Sequence, residues 1–375
     1  MAEYLTNTTD LTAVANAIRE KGGTSEQLAC PDGFVAAIQA IQTGVPLQIA
    51  VTTNAGATVT ATKGSKTVSG TADTSGNCTL TVDEAGTWTV TAATASTTKT
   101  SDVVVGISNV DLVLADSVLN NNSWETIKKV SDAGQGENYW SIGDRKEVTL
   151  NGTVGHLTLS NYTTYAFIIG FNHNASVEGT NRIHFQLAKT ALSGGTDVCL
   201  CDSKYNSTVS EAGYFSMNSS RTNSGGWDSS QMRNSICGTS LSSYSGTIIA
   251  VIPAALRAIL KSVTKYTDNR GGGNTAASTV TATTDYFFLL SEYEVFGSIS
   301  EANSNEKNKQ AQYAYYSAGN SKIKYKYDRT SKAVRWLLRS PGASSSYYFV
   351  RVYDDGSVST AGANTSLGFA PGFCV

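Results

Sequence analysis

Charge is what this 375-residue chain has least of: Lys, Arg, Asp and Glu together make up 15%, against about a quarter in an ordinary soluble domain. The little charge there is nearly cancels. Twenty-eight basic and 30 acidic side chains leave a formal −2 and an isoelectric point of about 6.0. No basic field exists to gather phosphates, so nucleic acid is not an expected partner. Long apolar runs are also missing. No stretch reaches the roughly 18 apolar residues that a membrane span requires, so no membrane insertion is expected. The opening MAEYLTNTTDLTAVANAIREKGG has no basic segment followed by an apolar one, and so does not read as a secretory signal.

Reactive side chains are equally sparse. The three histidines, His156, His173 and His184, show no metal-ligand spacing. The six cysteines, Cys30, Cys78, Cys199, Cys201, Cys237 and Cys374, form no CxxC pair and read as free, buried thiols. No GxSxG, HExxH or phosphate-binding loop occurs, and Gly271-Gly272-Gly273 lacks the Lys-Ser/Thr such a loop needs. Glu292 and Glu294 stand at i, i+2 and could share a face if they lay on a strand. No catalytic residue, metal or cofactor is expected. The sequons at Asn7, Asn151, Asn161, Asn206 and Asn364 follow from a chain rich in Asn, Ser and Thr.

What the chain does have is turn residues and aromatics, with 34 Gly, 18 Tyr, 11 Phe and 5 Trp. Three regions follow. Residues 1–45 read as two short helices, the first with Leu11, Val14 and Ile18 at helical spacing and the second after Pro31-Asp32-Gly33. Such short helices are marginal alone and suit attachment or oligomerisation. Residues 46–107 carry β-branched runs at 47–53, 57–62, 66–72, 78–82 and 87–93, separated by Gly-centred turns. This is the pattern of a small all-β sandwich anchored by Trp88, acting as a spacer. Residues 108–375 mix strands (166–171, 182–187, 247–253, 286–290, 333–338 and 347–353) with helices (227–235 and 254–263). The expected class is α+β with a loop-heavy surface. The run Lys322 to Arg329 alternates Lys with apolar residues and reads as a strand with one solvated Lys face.

An ordered series of motifs runs through the last region. It comprises Trp140-Ser141-Ile142-Gly143-Asp144, Gly225-Gly226-Trp227-Asp228, Phe287 to Gly297, Trp336-Leu337-Leu338-Arg339-Ser340-Pro341, and the closing Gly368 to Val375. The series resembles the C-type-lectin-fold domains of bacterial surface proteins, phage tail proteins and the variable proteins of diversity-generating retroelements, a fold shared with formylglycine-generating enzymes. The N-terminal segment resembles the opening of tail proteins of phages infecting Gram-positive bacteria, and the middle region resembles Ig-like inserts. The resemblance implies a virion-borne, receptor-binding adhesin, made in the bacterial cytoplasm and acting outside it. It implies other tail proteins as partners of the N-terminal segment and a host-surface protein or glycan as ligand; a homo-trimer is expected because weak contacts at a tip gain from multivalency.

The resemblance also places the variable surface at Gly342 to Leu367. There Phe349, Arg351 and Tyr353 alternate with Val350 and Val352, as on a strand with one buried face. Asp354-Asp355-Gly356-Ser357 reads as a turn, and Val358 restarts a strand. The candidate ligand-contacting residues are Tyr347, Tyr348, Arg351, Tyr353, Asp354, Ser357, Ser359 and Asn364, residue types suited to adaptable contacts. Binding is expected to be calcium-independent, because no Glu-Pro-Asn or Gln-Pro-Asp loop occurs. Trp227, Gln231, Arg233, Trp336 and Arg339 are expected to hold the frame, Arg339 through its planar fork. Two other readings stand beside this one: a structural virion component without a specific ligand, and an enzyme acting on surface polysaccharide.

Overall fold

Why each segment folds as it does is seen in a computed structural model, which describes residues 12–18, 46–95, 97–106 and 110–375. Residues 12–18 are helical with Ala15 and Ile18 buried, whereas Val14, expected on the apolar stripe, is exposed. The second expected helix lies outside the described residues. The chain divides into two compact units, 1–114 and 115–375.

In the first unit, side chains alternate in and out with the period of a strand. β1 (Leu47–Thr52), β2 (Thr58–Lys63), β3 (Lys66–Thr71), β4 (Asn77–Val82), β5 (Gly86–Ala93), β6 (Thr98–Val105) and β7 (Val110–Val113) form two sheets, ordered β4-β1-β7 and β3-β2-β5-β6. Between them Ile49, Val51, Val59, Leu80, Trp88 and Val90 form one apolar core. Gly64, at φ +58°, makes the tight turn between β2 and β3. Two strands escaped the sequence reading. β6 is a polar strand, paired with β5 alone among the described strands, and β7 pairs parallel with β1, so the sandwich runs on past the expected limit at 107.

The second unit is α+β, built from strands with short helices between them. Its strands are β8 (Arg145–Val154), β9 (Leu157–Phe171), β10 (Ile183–Lys189), β11 (Val198–Cys199), β12 (Val263–Asp268), β13 (Val280–Asp285), β14 (Phe287–Phe288), β15 (Lys324–Lys326), β16 (Arg329–Val334), β17 (Trp336–Pro341), β18 (Tyr348–Val352), β19 (Val358–Gly362) and β20 (Gly372–Cys374). The main sheet is antiparallel in the order β14-β20-β10-β9-β8. β20, the last strand, lies inside it, and Phe373 stacks on Phe185 with ring centroids 5.3 Å apart. β17, β18 and β19 form a second antiparallel sheet, with β17 buried along its whole length. All five described cysteines are free and buried.

Several expected elements change type. Residues 247–253 contain a short helix, Ile248–Val251, where a strand was expected. β-branched runs are ambiguous when they are this short. The helix expected over 254–263 ends at Arg257, because β12 begins at Val263. Residues 227–235 form a turn followed by the π-helix Met232–Cys237. Glu292 and Glu294 lie on the helix Glu292–Phe296, not on a strand. There Ser291 and Glu294 complete a capping box, each satisfying the other's backbone N–H. The Lys face expected at 322–329 is not solvated throughout: Lys324 is fully buried against Phe167 and Trp336.

Candidate functional site

The C-terminal hairpin forms where the turn residues placed it, with β18 and β19 paired from Tyr348–Gly362 to Val352–Val358. The expected single buried face does not hold. Phe349 is buried on one side and Val350 and Val352 on the other, because β17 lies alongside and the domain covers both faces of the strand's centre. Only part of the window is therefore available to a ligand.

The candidate residues fall into two groups. Tyr347 is exposed, at 52%, and the Arg221 guanidinium lies 5.5 Å from its ring centroid. Arg221 also donates to the Tyr348 hydroxyl at 2.8 Å. The second group surrounds Arg335. The guanidinium of Arg335 lies 4.1 Å from the Tyr353 ring centroid, donates to its hydroxyl at 2.5 Å, and approaches Asp354 at 3.7 Å. Arg351 is half-buried beside it, 5.1 Å from the same ring, with Ser359 directly across the ladder.

The other candidates serve the loops. Asp355 accepts from the backbone and hydroxyl of Ser357 at 2.9 and 2.5 Å, which is turn chemistry. Asn364 donates to the carbonyl of Val209 at 3.3 Å and pins a neighbouring loop. Arg221 and Arg335 were missed as surface partners. Arg221 lies in a Ser/Gly/Asn loop, and Arg335 sits at the break between β16 and β17, so neither carries a local signal of its position.

A second constellation lies wholly inside. Arg339 donates through both terminal nitrogens to Glu294, at 2.5 and 2.9 Å, and further to Thr267 and the carbonyl of Leu289, each at 2.8 Å. Lys265 bridges Glu178 at 2.7 Å and Glu294 at 3.0 Å and donates to the Tyr313 hydroxyl at 2.8 Å. His173 stacks on Tyr313, and His184 sits 3.1 Å from the Cys374 sulfur. Burial pushes Glu178 up to about 7 against the opposing pull of Lys265, and burial takes Glu306 to about 7 as well. Burial, aided by Lys265, holds His173 down at about 3. For Glu294 burial acts upward, but Arg339 and Lys265 outweigh it and keep the carboxylate ionised.

His173, Glu178 and Glu294 offer ligand atoms within 4.8 Å of one another, the spacing a metal ion would use. The set nevertheless fits an ammonium better. Lys265 already stands between the two carboxylates with all three of its donors engaged, and Lys265 and Arg339 balance the charges of Glu178 and Glu294. Binding a divalent ion would require expelling that lysine. Trp227 and Arg233 both bind Asp285, at 3.0 and 2.6 Å, and form part of the frame, as expected.

Residues 199–375 match a family described as a domain of unknown function, DUF6273. No curated protein matches the chain. No helix among the described residues is long and apolar enough to cross a membrane.

Proposed function

We propose that this chain is a non-catalytic binding protein, a receptor-binding or adhesin subunit of the phage-tail type. In this reading the second unit is a C-type-lectin-like domain that presents the hairpin surface to a host-surface ligand. The observation that carries the reading is the contrast along β17 and β18. A strand buried end to end supports one whose neighbours Tyr347, Arg351, Tyr353 and Ser359 reach solvent on polar or aromatic side chains. Tyr and Arg of this kind supply contact area with few torsions to freeze. The titratable cluster is sealed in the interior, where it supports the fold and offers no access to a substrate.

The role proposed for the first 45 residues is attachment to other tail proteins, with assembly as a homo-trimer. Weak contacts repeated at a tip gain strongly from multivalency. The test is to label the full chain and measure binding to a panel of Gram-positive cells. The wild type is expected to select some strains. A variant carrying Tyr347→Ala and Ser359→Ala should lose that binding with its melting temperature nearly kept. Absence of binding across the panel, or an unaltered pattern in the folded variant, would remove the adhesin reading and leave a structural component.

A further inference from the structure

Arg351 stands out among the charged side chains of the hairpin because its guanidinium forms no hydrogen bond and no ion pair with any described residue. Its Nε is buried and has no partner. A fully solvated guanidinium would need none, but a sealed N–H without an acceptor is disfavoured. The adjacent charge makes this worse. Arg335 packs on the same Tyr353 ring, and burial together with the Arg335 charge lowers the Arg351 pKa. Lys332 adds a third cation, 5.6 Å from the Tyr205 ring centroid. Against these three, the carboxylate found among them is Asp354, at 3.7 Å from Arg335.

Arg335 is held in place rather than free. It donates to the side-chain oxygen of Asn206 at 3.2 Å and to the Tyr353 hydroxyl, and its backbone N–H donates to the Tyr205 hydroxyl at 2.9 Å. The corner therefore pairs one fixed guanidinium with one whose donors are unclaimed, and Ser359 brings a hydroxyl across the ladder from Arg351.

We infer that the Arg335–Arg351 corner is an anion-binding subsite, and that the ligand of the hairpin surface is an acidic cell-surface glycan bearing carboxylate or phosphate groups. The inference rests on the binding reading above and names its ligand chemistry. With Nε sealed, the two terminal nitrogens of Arg351 are the donors left to a ligand, and their planar fork matches either anion in two-point contact. A glycan is favoured over an acidic peptide by the surroundings. Of the large hydrophobic side chains exposed among the described residues, only Tyr347 lies on the hairpin, so the corner offers hydroxyls and aromatic faces but no apolar anchor for a peptide.

The full chain is titrated with poly(glycerol phosphate), polygalacturonate, neutral dextran and poly-glutamate. Binding to at least one acidic glycan, weakened by salt, with none to dextran, is expected. Which acidic polymer binds tells phosphate from carboxylate. Arg351→Gln and Arg335→Gln should each weaken it at least about tenfold, the loss that one charge-assisted contact carries. Arg351→Lys, which keeps the charge and loses the fork, should fall between. Failure of both acidic glycans to bind, or Gln variants that bind like wild type, would overturn the subsite, and tighter binding to poly-glutamate would overturn the glycan. Cell binding separates the two levels. If wild type and folded Arg351→Gln bind cells equally, the subsite falls and the adhesin stands; if the wild type binds no cells, the adhesin reading falls first.

Discussion

Arg339 on β17 and Arg351 on β18 belong to neighbouring strands of one sheet, yet the domain treats them oppositely. Arg339 is fully buried, and each of its three nitrogens donates to an oxygen of Glu294, Thr267 or Leu289. Arg351 is half-buried and donates to none of the described residues, with its Nε sealed and unmatched. The residue type is the same. What differs is whether the fold consumes the donors. A guanidinium whose donors are consumed fixes the strands around it, whereas one whose terminal nitrogens are spare can meet a ligand through them.

The sharpest way to break this comparison is to remove the consumed guanidinium. Arg339→Met leaves Glu294 buried with Lys265 as its remaining cation. Breaking a buried pair in this way costs about 3–5 kcal/mol. Arg339→Lys should recover only part of the loss, because an ammonium cannot span both carboxylate oxygens. Urea unfolding followed by tryptophan fluorescence measures both, and Trp227 and Trp336 report from the same unit. A loss below about 1 kcal/mol would mean that the cluster is not the frame.

The same cluster sets the acid response. His173 titrates at about 3 in the fold and near its ordinary value of about 6.5 when unfolded. His184 is lowered too, by burial and by Lys265. Through that window the unfolded chain binds protons that the fold refuses, so acidification removes stability. Glu178 and Glu306 run the other way. Their folded values of about 7 exceed the unfolded value of about 4.3, so between those limits the fold binds the extra protons and gains stability as pH falls. Two opposing pairs predict a nearly flat urea midpoint from pH 6.5 down to about 4.5. Below that the glutamates no longer compensate, the depressed Glu294 must protonate, and stability should drop steeply. A steady decline already between pH 7 and 5 would show Glu178 and Glu306 to be ionised throughout.

Much of the scaffold was legible in the sequence because strand periodicity and turn residues are local. The five expected sandwich strands appear as β1 to β5, and Asp354 to Ser357 make the turn between β18 and β19. β6 and β7 were not, since their core-facing signal is weak and β7 finds its partner only through a parallel, long-range pairing. The double-sided burial of β18 was not legible either, because it depends on what covers the strand. Least legible was the charge cluster. His173, Glu178, Lys265, Glu294 and Arg339 come from distant segments, and no spacing connects Lys265 to either of its carboxylates. The two histidines follow the same pattern: no spacing links His173 and His184 in the sequence, yet their ring centroids meet at 5.5 Å.

Lys324 offers a smaller test of whether an unmatched donor destabilises the fold once it is buried. Its ammonium has no hydrogen-bond partner among the described residues, the Asp197 carboxylate is 3.8 Å away, and burial lowers its pKa. Lys324→Met keeps the volume and removes the desolvated charge, so the protein should gain about 1 kcal/mol. A clear loss in the same unfolding measurement would mean that the ammonium is matched after all.

The smallest expected effect belongs to Arg351. With no hydrogen bond or ion pair to lose among the described residues, Arg351→Ala should shift stability by no more than about 0.5 kcal/mol. Relief of the repulsion from Arg335 acts in the variant's favour, and lost packing on Tyr353 acts against it. Tyr353→Phe is the companion measurement, because it frees Arg335 from the hydroxyl it donates to and should cost about 1 kcal/mol, the net worth of one hydrogen bond. If Arg351→Ala proved the costlier of the two, the guanidinium would be holding the hairpin together. The two arginines would then be the same kind of residue, and nothing on this surface would be left spare for a ligand.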